Sequence, residues 1–244
     1  MIRDLAAALA FLTRIPTGRR FTFESYDVMR ASRYFPLVGA LLGCIYAGVL
    51  WILIQVLPWV IVAILLVGLD AWITGALHFD GLADTADGFG GGATSDDVLR
   101  IMRDHAIGSY GAVSLVLVIA LKIATIGLLI GTARAAECLI VAPILGRWSA
   151  VVIGAMLPYA RSLDTDRRPR FGRTEVSIAT VISIGVCAAI DYRWGLAACL
   201  LVALGSIWWA WRCHRRIGGA TGDTLGAAVE MSECLVLLLF VALR

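Results

Sequence analysis

Apolar runs of about 20 residues, the length a helix needs to cross the hydrocarbon core of a bilayer, take up most of this 244-residue chain. Residues 35–57, 59–79, 110–131, 135–158, 176–190, 193–211 and 224–243 are the candidates, the fifth being short. Lipid offers a backbone no hydrogen-bond partners, so a segment crossing it must satisfy its own amides as a helix. Composition agrees. The chain is 60% hydrophobic and 16% charged with a mean hydropathy of +0.85, against roughly 45–50% apolar and 25% charged in soluble proteins. The fold class is therefore all-α, a polytopic transmembrane helical bundle of about seven spans, forming a single integral membrane domain over residues 1–244. The apolar stretch Leu5–Leu12 precedes Arg14 and lacks a small-residue cleavage site, which makes it an N-terminal interfacial helix and not a signal peptide.

Basic residues sort by side. Sixteen arginines, among them Arg3, Arg14, Arg19, Arg20, Arg103, Arg161, Arg167, Arg168, Arg170 and Arg216, fall on one side of the alternating spans. Arg134, Arg193 and Arg244 fall on the other, and Lys122 and Arg147 lie within spans. The positive-inside rule places the N-terminus and segments 80–109, 159–175 and 212–223 in the cytoplasm, in a protein integral to the cytoplasmic (inner) membrane. A re-entrant hairpin over 176–211 instead of two spans would leave the later loops on the same sides. The net charge of +3 is small and spread over short loops, a sign of topology and not of a nucleic-acid-binding stripe. The arginines of Arg161–Thr174 read as a solvated loop near anionic headgroups, with a substrate-phosphate clamp as the alternative. The six cysteines show no CxxC spacing, and five sit in apolar runs as small hydrophobes.

The chemistry concentrates where the second apolar run reaches His78-Phe79-Asp80-Gly81-Leu82-Ala83-Asp84-Thr85-Ala86-Asp87-Gly88, followed by Phe89 and three glycines. If helix continues through this segment, Asp80, Asp84 and Asp87 fall within a sector of roughly 60° at about 100° per residue. Three carboxylates on one face repel one another and raise each other's pKa values. A cation removes that penalty, and all-oxygen ligands favour Mg²⁺ or Mn²⁺ over zinc. The alternative is a polar helix end with solvated aspartates. Gly88 and the glycines after it let backbone approach a ligand and present N–H groups to phosphate, although glycines also simply end helices. Arg103 is placed to neutralise a phosphate oxygen and Asp104 to act as a base or further ligand, or the two anchor a helix at the interface. Gly108-Ser109-Tyr110-Gly111 opens the third span. Asp223 and Glu230 share a helix face, with Glu233 one turn further on. Acids inside an apolar run are costly and normally line a polar cavity, so these either face the aspartate site or pair with Arg147 or Lys122. Asp70 and Glu137 are further intramembrane acids. His78 points away from Asp80 on a helical wheel and is read either as a ligand neighbour or as a packing residue.

Leu77-His78-Phe79-Asp80-Gly81-Leu82-Ala83-Asp84-Thr85-Ala86-Asp87-Gly88 resembles the signature of the cobalamin synthase family, the adenosylcobinamide-GDP ribazoletransferases. Four further blocks match in order: Phe11-Leu12-Thr13-Arg14-Ile15-Pro16, Tyr34-Phe35-Pro36-Leu37-Val38-Gly39, Met102-Arg103-Asp104 with Gly108-Ser109-Tyr110-Gly111, and Thr221-Gly222-Asp223-Thr224-Leu225-Gly226-Ala227. They cover nearly the whole chain. Two positions depart from the pattern: the family often has Lys where Arg103 stands, and Leu or Glu where Phe79 stands.

The resemblance implies a Mg²⁺-dependent membrane transferase that joins adenosylcobinamide-GDP to alpha-ribazole or its 5'-phosphate and releases GMP. It implies that Asp80, Asp84 and Asp87 hold the metal and that Asp84, Asp104 and Arg103 take part in catalysis. Arg14, His78, Gly88, Gly108, Arg147 and Asp223 would bind substrate. The expected partners are those substrates and membrane lipid, with no nucleic acid; a homo-oligomer is left open. Three rival readings remain at this point, one of them a membrane prenyltransferase, whose paired aspartate motifs usually start with Asn or paired Asp in a different spacing. A CDP-alcohol phosphotransferase also starts its motif with Asp-Gly, but here Ala83 is followed by Asp84 where that class has Ala-Arg. A cation transporter would depend on the deep acids Asp70, Glu137, Glu230 and Glu233.

Overall fold

A computed structural model describes residues 2–16, 25–161 and 171–243. Arg19, Arg20, Arg167, Arg168, Arg170 and Arg244, which contribute to the charge asymmetry, lie outside the described residues. Eleven α-helices make up the described fold: α1 (Ile2–Leu12), α2 (Ser25–Ala31), α3 (Phe35–Leu53), α4 (Trp59–Thr74), α5 (Leu77–Gly91), α6 (Ser95–Ile101), α7 (Ser109–Leu129), α8 (Ala135–Met156), α9 (Arg173–Ile190), α10 (Tyr192–Ile217) and α11 (Gly222–Ala242). A 3-10 turn, Ser32–Tyr34, joins α2 to α3. Six of the described helical segments are long and apolar enough to cross a membrane: Tyr26–Leu53, which carries α3, and α7 to α11. This is the expected all-α polytopic bundle. Helices α9 and α10 are each long enough to cross alone, with 18 and 26 residues. The last turn of α10 carries His214, Arg215 and Arg216, beyond the expected end at residue 211.

The second span differs from expectation. The apolar run 59–79 suggested one helix continuing into the aspartate motif, yet α4 stops at Thr74 and α5 leaves it at 90°. Gly75 and Ala76 both take left-handed backbone angles, φ 66° and 58°. The end is sealed where Gly75 N donates to Trp72 O at 3.3 Å and Ala76 N to Ala71 O at 2.7 Å, the pattern that closes helix C-termini. Glycine takes this conformation freely, whereas alanine does so at a cost. Arg14 lies behind the corner: its N donates to Ile73 O at 2.7 Å, and a methyl group on Gly75 would come within 2.7 Å of its Nε. The motif is helical, as expected, but on a separate helix at the end of the bundle where α7 and α11 begin, which we call the motif face. Helices α4 and α5 together are apolar enough for a seventh, bent crossing, as a broken span or a re-entrant loop.

At the same end α1 is clamped to the turn before α3. Asp4 accepts from Arg30 Nε at 3.0 Å and Arg33 NH2 at 2.5 Å. Burial pushes its carboxyl up, but the hydrogen bonds from Arg33 and Arg30 outweigh this and hold it below the usual aspartate value. Within the bundle, α8 is the most enclosed helix. Gly39 and Gly43 of α3 let that helix press against it, since a methyl group on Gly43 would stand 2.5 Å from Ile140 Cα. Small residues four apart commonly permit such contacts between membrane helices.

Charged groups also meet inside the bundle. Glu233 stands roughly 16 Å along α11 from its start at 1.5 Å per residue. Lys122 Nζ of α7 lies 2.6 Å from Glu230 Oε2, 2.7 Å from Glu233 Oε2 and 3.3 Å from Asp70 Oδ2 of α4. Arg147 of α8 pairs with Glu233 Oε1 and lies 3.8 Å from Asp70 Oδ1. Tyr46 Oη of α3 donates to the same Asp70 oxygen at 2.7 Å. Five helices are thereby tied at one point, and α5 hangs from it. His78 Nδ1 lies 3.5 Å from Arg147 NH2, and the Phe79 ring centroid is 4.9 Å from Lys122 Nζ. Removing one partner of a buried ion pair leaves an uncompensated charge and costs about 3–5 kcal/mol. Lys122→Met should therefore lower stability by about that amount in detergent unfolding; a loss below about 1 kcal/mol, the scale of an exposed pair, would contradict the buried-pair assignment.

Candidate active site

Helix α5 reaches its place by touching α11 backbone to backbone. A methyl group on Gly81 would come within 2.7 Å of Asp223 O and 3.0 Å of Asp223 Cα. Across the same crossing, Gly226 of α11 faces His78 Cα at 3.4 Å, measured the same way. The far end of α5 is held by α10: Arg216 NH2 donates to Phe89 O at 2.7 Å and Gly92 O at 2.9 Å, supplying donors to carbonyls the helix end leaves free. Phe89 also stacks on Trp209 of α10 with ring centroids 5.6 Å apart.

The start of α11 is fixed as tightly. Thr221 Oγ1 accepts from Thr224 N at 3.2 Å and Thr224 Oγ1 accepts from Thr221 N at 2.8 Å, a reciprocal cap. This cap places Asp223 in the first turn, against α5. Arg161 NH2 donates to Asp223 Oδ2 at 2.6 Å and to Met102 O at 3.2 Å. Arg161 was expected in a solvated loop; in the structure it is half-buried and pinned to the site. The reciprocal Thr221/Thr224 pattern is the signal that could have marked Asp223 as a fixed group, whereas nothing local marks Arg161.

Asp80, Asp84 and Asp223 lie in one another's field. Asp80 is exposed, and Asp84 and Asp223 are half-buried. Burial first, then the charges of Asp80 and Asp223, push the Asp84 carboxyl up to about 6. Arg161 opposes this only in part. The donor set is all oxygen, with like charges brought near one another by the α5–α11 contact, although as the side chains stand their ligand atoms do not all come within 4.8 Å of one another.

Asp87 is placed differently. Its Oδ2 accepts from Gly108 N at 2.7 Å and its Oδ1 from Gly111 N at 2.8 Å, so both oxygens serve the N-terminus of α7. A methyl group on Gly108 would come within 2.5 Å of Asp87 Oδ1, which makes Gly108 part of that seat. Gly88 packs on α6, where a methyl group would meet Met102 Cγ at 2.5 Å. Arg103 and Asp104 are exposed beyond α6, and Asp104 Oδ1 accepts from Ala106 N at 3.2 Å. Arg14 is at the α4–α5 corner; His78 is on the buried face of α5, with Arg147 of α8 beneath it. Glu230 and Glu233 take the paired alternative, with Lys122 and Arg147. Among the described residues, Asp70, Glu230 and Glu233 are the three carboxylates that each bring one oxygen within 4.8 Å of the others', and Lys122 Nζ reaches all three.

Fold and site together define a class: a polytopic membrane protein whose helices hold an acidic, oxygen-donor site at one end of the bundle, beside glycine-flanked backbone and a paired arginine. Comparison with known proteins gives the family. The family model described as Cobalamin-5-phosphate synthase matches residues 4–241. The chain is 38% identical over 250 residues to the adenosylcobinamide-GDP ribazoletransferase of Shewanella frigidimarina, covering 97% of this chain and 94% of that protein. It is 36% identical over 247 residues to the protein of the same name from Klebsiella pneumoniae, covering 98% and 99%. The Ralstonia pickettii protein of that name is also 36% identical over 247 residues, covering 96% and 93%. No solved structure matches the chain. The chain belongs to the cobalamin-5-phosphate synthase family.

The carboxylate geometry is testable alone. Infrared titration of Asp84, read as the difference between the protein and Asp84→Asn, should show a midpoint near pH 6. Asp80→Asn should move that midpoint down, because removing a neighbouring anion makes ionisation easier. A midpoint at the ordinary aspartate value, unmoved by Asp80→Asn, would show that the carboxylates do not share a field.

Proposed function

We propose that this chain catalyses the ribazoletransferase reaction of its family at the α5–α11 face. Adenosylcobinamide-GDP and alpha-ribazole, or its 5'-phosphate, react to give adenosylcobalamin, or its phosphate, and GMP. The observation that carries the reading is the placement of Asp80 and Asp84 against Asp223 and Arg161, in a chain matched over nearly its whole length by that family. The arginine distribution supports a cytoplasmic motif face in the inner membrane, where phosphate substrates are available. Exposed apolar residues such as Trp51, Trp72, Val116 and Leu200 support lipid contact around the bundle.

Asp80 and Asp84 would hold Mg²⁺, with Asp223 facing them from α11. When bound, the cation supplies neutralising charge for the pyrophosphate and the departing GMP. The chain's own groups do the rest. Arg161, held by Asp223, offers a guanidinium to phosphate oxygens at the edge of the site. One of the two metal-holding carboxylates, or Asp104, would take the proton from the attacking ribose hydroxyl; the Asp84 value near 6 belongs to the site without a cation, and a bound cation lowers it. The attack is on the phosphorus attached to cobinamide, and the bond to GMP breaks. Asp87 acts at a distance, by fixing where α7 begins beside α5. Arg14 holds the α4–α5 corner and so sets the direction of α5.

Purified protein in liposomes given adenosylcobinamide-GDP and alpha-ribazole should release GMP and form a corrinoid with a lower ligand only when Mg²⁺ is present. Asp84→Ala should stay folded and lose turnover. Retention of more than about a tenth of wild-type activity would remove Asp84 from the metal and base roles, and a folded wild-type protein without product would overturn the reaction assignment.

A further inference from the structure

Beneath the α5–α11 crossing lies a cavity of about 230 Å³ that no step above uses. One wall is aromatic. Phe11 of α1 stacks on Phe35 of α3 with ring centroids 5.8 Å apart and planes at 14°. Phe171, just before α9, meets Phe35 edge-on at 6.3 Å. The cavity is also lined by His78 and Arg147, both buried, and by Asp80 and Asp223, the exposed and half-buried acids of the site. An apolar, aromatic chamber thus joins the carboxylate cluster at one end and a buried cation at the other.

Its size and chemistry limit what it can take. It is smaller than the ~300–1,000 Å³ pockets that enclose drug-sized ligands, too small to enclose a corrin macrocycle. One planar ring system fits, packed against phenylalanine faces. The buried polar groups favour a ring that accepts hydrogen bonds. Arginine only donates, and Arg147 Nε has no hydrogen-bond partner among the described residues although Arg147 is fully buried. Arg147 NH2 lies 3.5 Å from His78 Nδ1, so Nδ1 is the acceptor there and a neutral ring carries its proton on Nε2, a second donor. Guanine could accept from Arg147 at O6 and N7, but its pairing-edge N–H groups would then need acceptors, which this lining offers only at the mouth, on the two acids. A benzimidazole-type base presents one unprotonated ring nitrogen and otherwise apolar edges.

We propose that this cavity is the acceptor-base subsite, holding the benzimidazole-type base of ribazole against the wall formed by Phe11, Phe35 and Phe171 with its free ring nitrogen toward Arg147 and His78. The inference rests on the ribazoletransferase reading. A ribose attached to a base seated there emerges between Asp80 and Asp223, beside Asp84, where its hydroxyl is to be deprotonated. Arg147 thereby acquires a second role, since one guanidinium both serves the deep ion pair with Glu233 and faces the base.

Equilibrium binding separates this subsite from turnover. Benzimidazole alone, titrated calorimetrically into wild-type protein in nanodiscs without the other substrate, should bind, should compete with alpha-ribazole and should not be displaced by GMP. Ala150, in the cavity lining at 7% exposure, gives the variant. Ala150→Leu should weaken benzimidazole and raise the KM for alpha-ribazole by about tenfold or more, with the KM for adenosylcobinamide-GDP held within about twofold. Displacement of benzimidazole by GMP, or a raised KM for adenosylcobinamide-GDP alone, would assign the cavity to guanine and overturn the proposal. Should Ala150→Leu fail to fold, Phe171→Leu tests the wall with the same two KM values. Product formation by a wild-type protein that does not bind benzimidazole would sink the subsite and leave the reaction standing. Benzimidazole binding by a folded wild-type protein that makes no product would sink the reaction reading, and the subsite as an acceptor site with it.

Discussion

Charges buried within a bilayer must be matched, and that requirement fixes this fold. Lys122 reaches Asp70, Glu230 and Glu233, and Arg147 reaches Glu233 and Asp70. An isolated carboxylate or ammonium pays a solvation cost of several kcal/mol in low dielectric even after relaxation. The groups therefore hold one arrangement, and with it the rotations of α4, α7, α8 and α11 about their axes. Tyr46 adds α3. Apolar packing between lipid-facing helices is not directional, so rotation is the degree of freedom that such a knot removes.

The motif face follows from that rotation. With Glu230 and Glu233 turned inward, Asp223 at the start of α11 is carried to the side where α5 crosses. His78 and Phe79 attach α5 to Arg147 and Lys122, and Gly81 lets its backbone meet Asp223. The acids thus divide into two groups by depth. Inside the bundle Asp70, Glu230 and Glu233 share two cations of the chain, Lys122 and Arg147, and Lys122 stands where a bound metal would otherwise be needed; Glu137 Oε2 is buried without a hydrogen-bond partner among the described residues. At the face, Asp80 and Asp84 have like charges for neighbours, the condition under which a metal ion is proposed to bind and to bring in a phosphate ester.

Much of this was legible in the sequence because its signals are strong and local. Five spans follow apolar runs closely, as with 110–131 for Ser109–Leu129 and 224–243 for Gly222–Ala242. The aspartate spacing marked one face of a helix, and α5 is that helix. The 90° corner at Gly75 and Ala76 was not legible, because both residues sit inside an unbroken apolar run and the turn depends on where α5 docks. Asp87 shares the helical face of Asp80 and Asp84, and only the approach of α7 shows that its oxygens accept Gly108 N and Gly111 N. Arg161 resembled every other loop arginine until the fold brought Asp223 to it. Long-range pairing, unlike helical periodicity, leaves no mark on neighbouring residues.

The carboxylates of α5 divide by neighbour: those facing α11 are the proposed cation ligands, while Asp87 serves the start of α7. Electron paramagnetic resonance titration of Mn²⁺ into the purified protein, its Asp84→Asn variant and its Asp87→Asn variant separates these roles. A specific Mn²⁺ site is expected in the wild type, with its loss in a folded Asp84→Asn protein and its retention in folded Asp87→Asn. Equal loss in both variants, or Mn²⁺ binding indifferent to Asp84, would contradict this division.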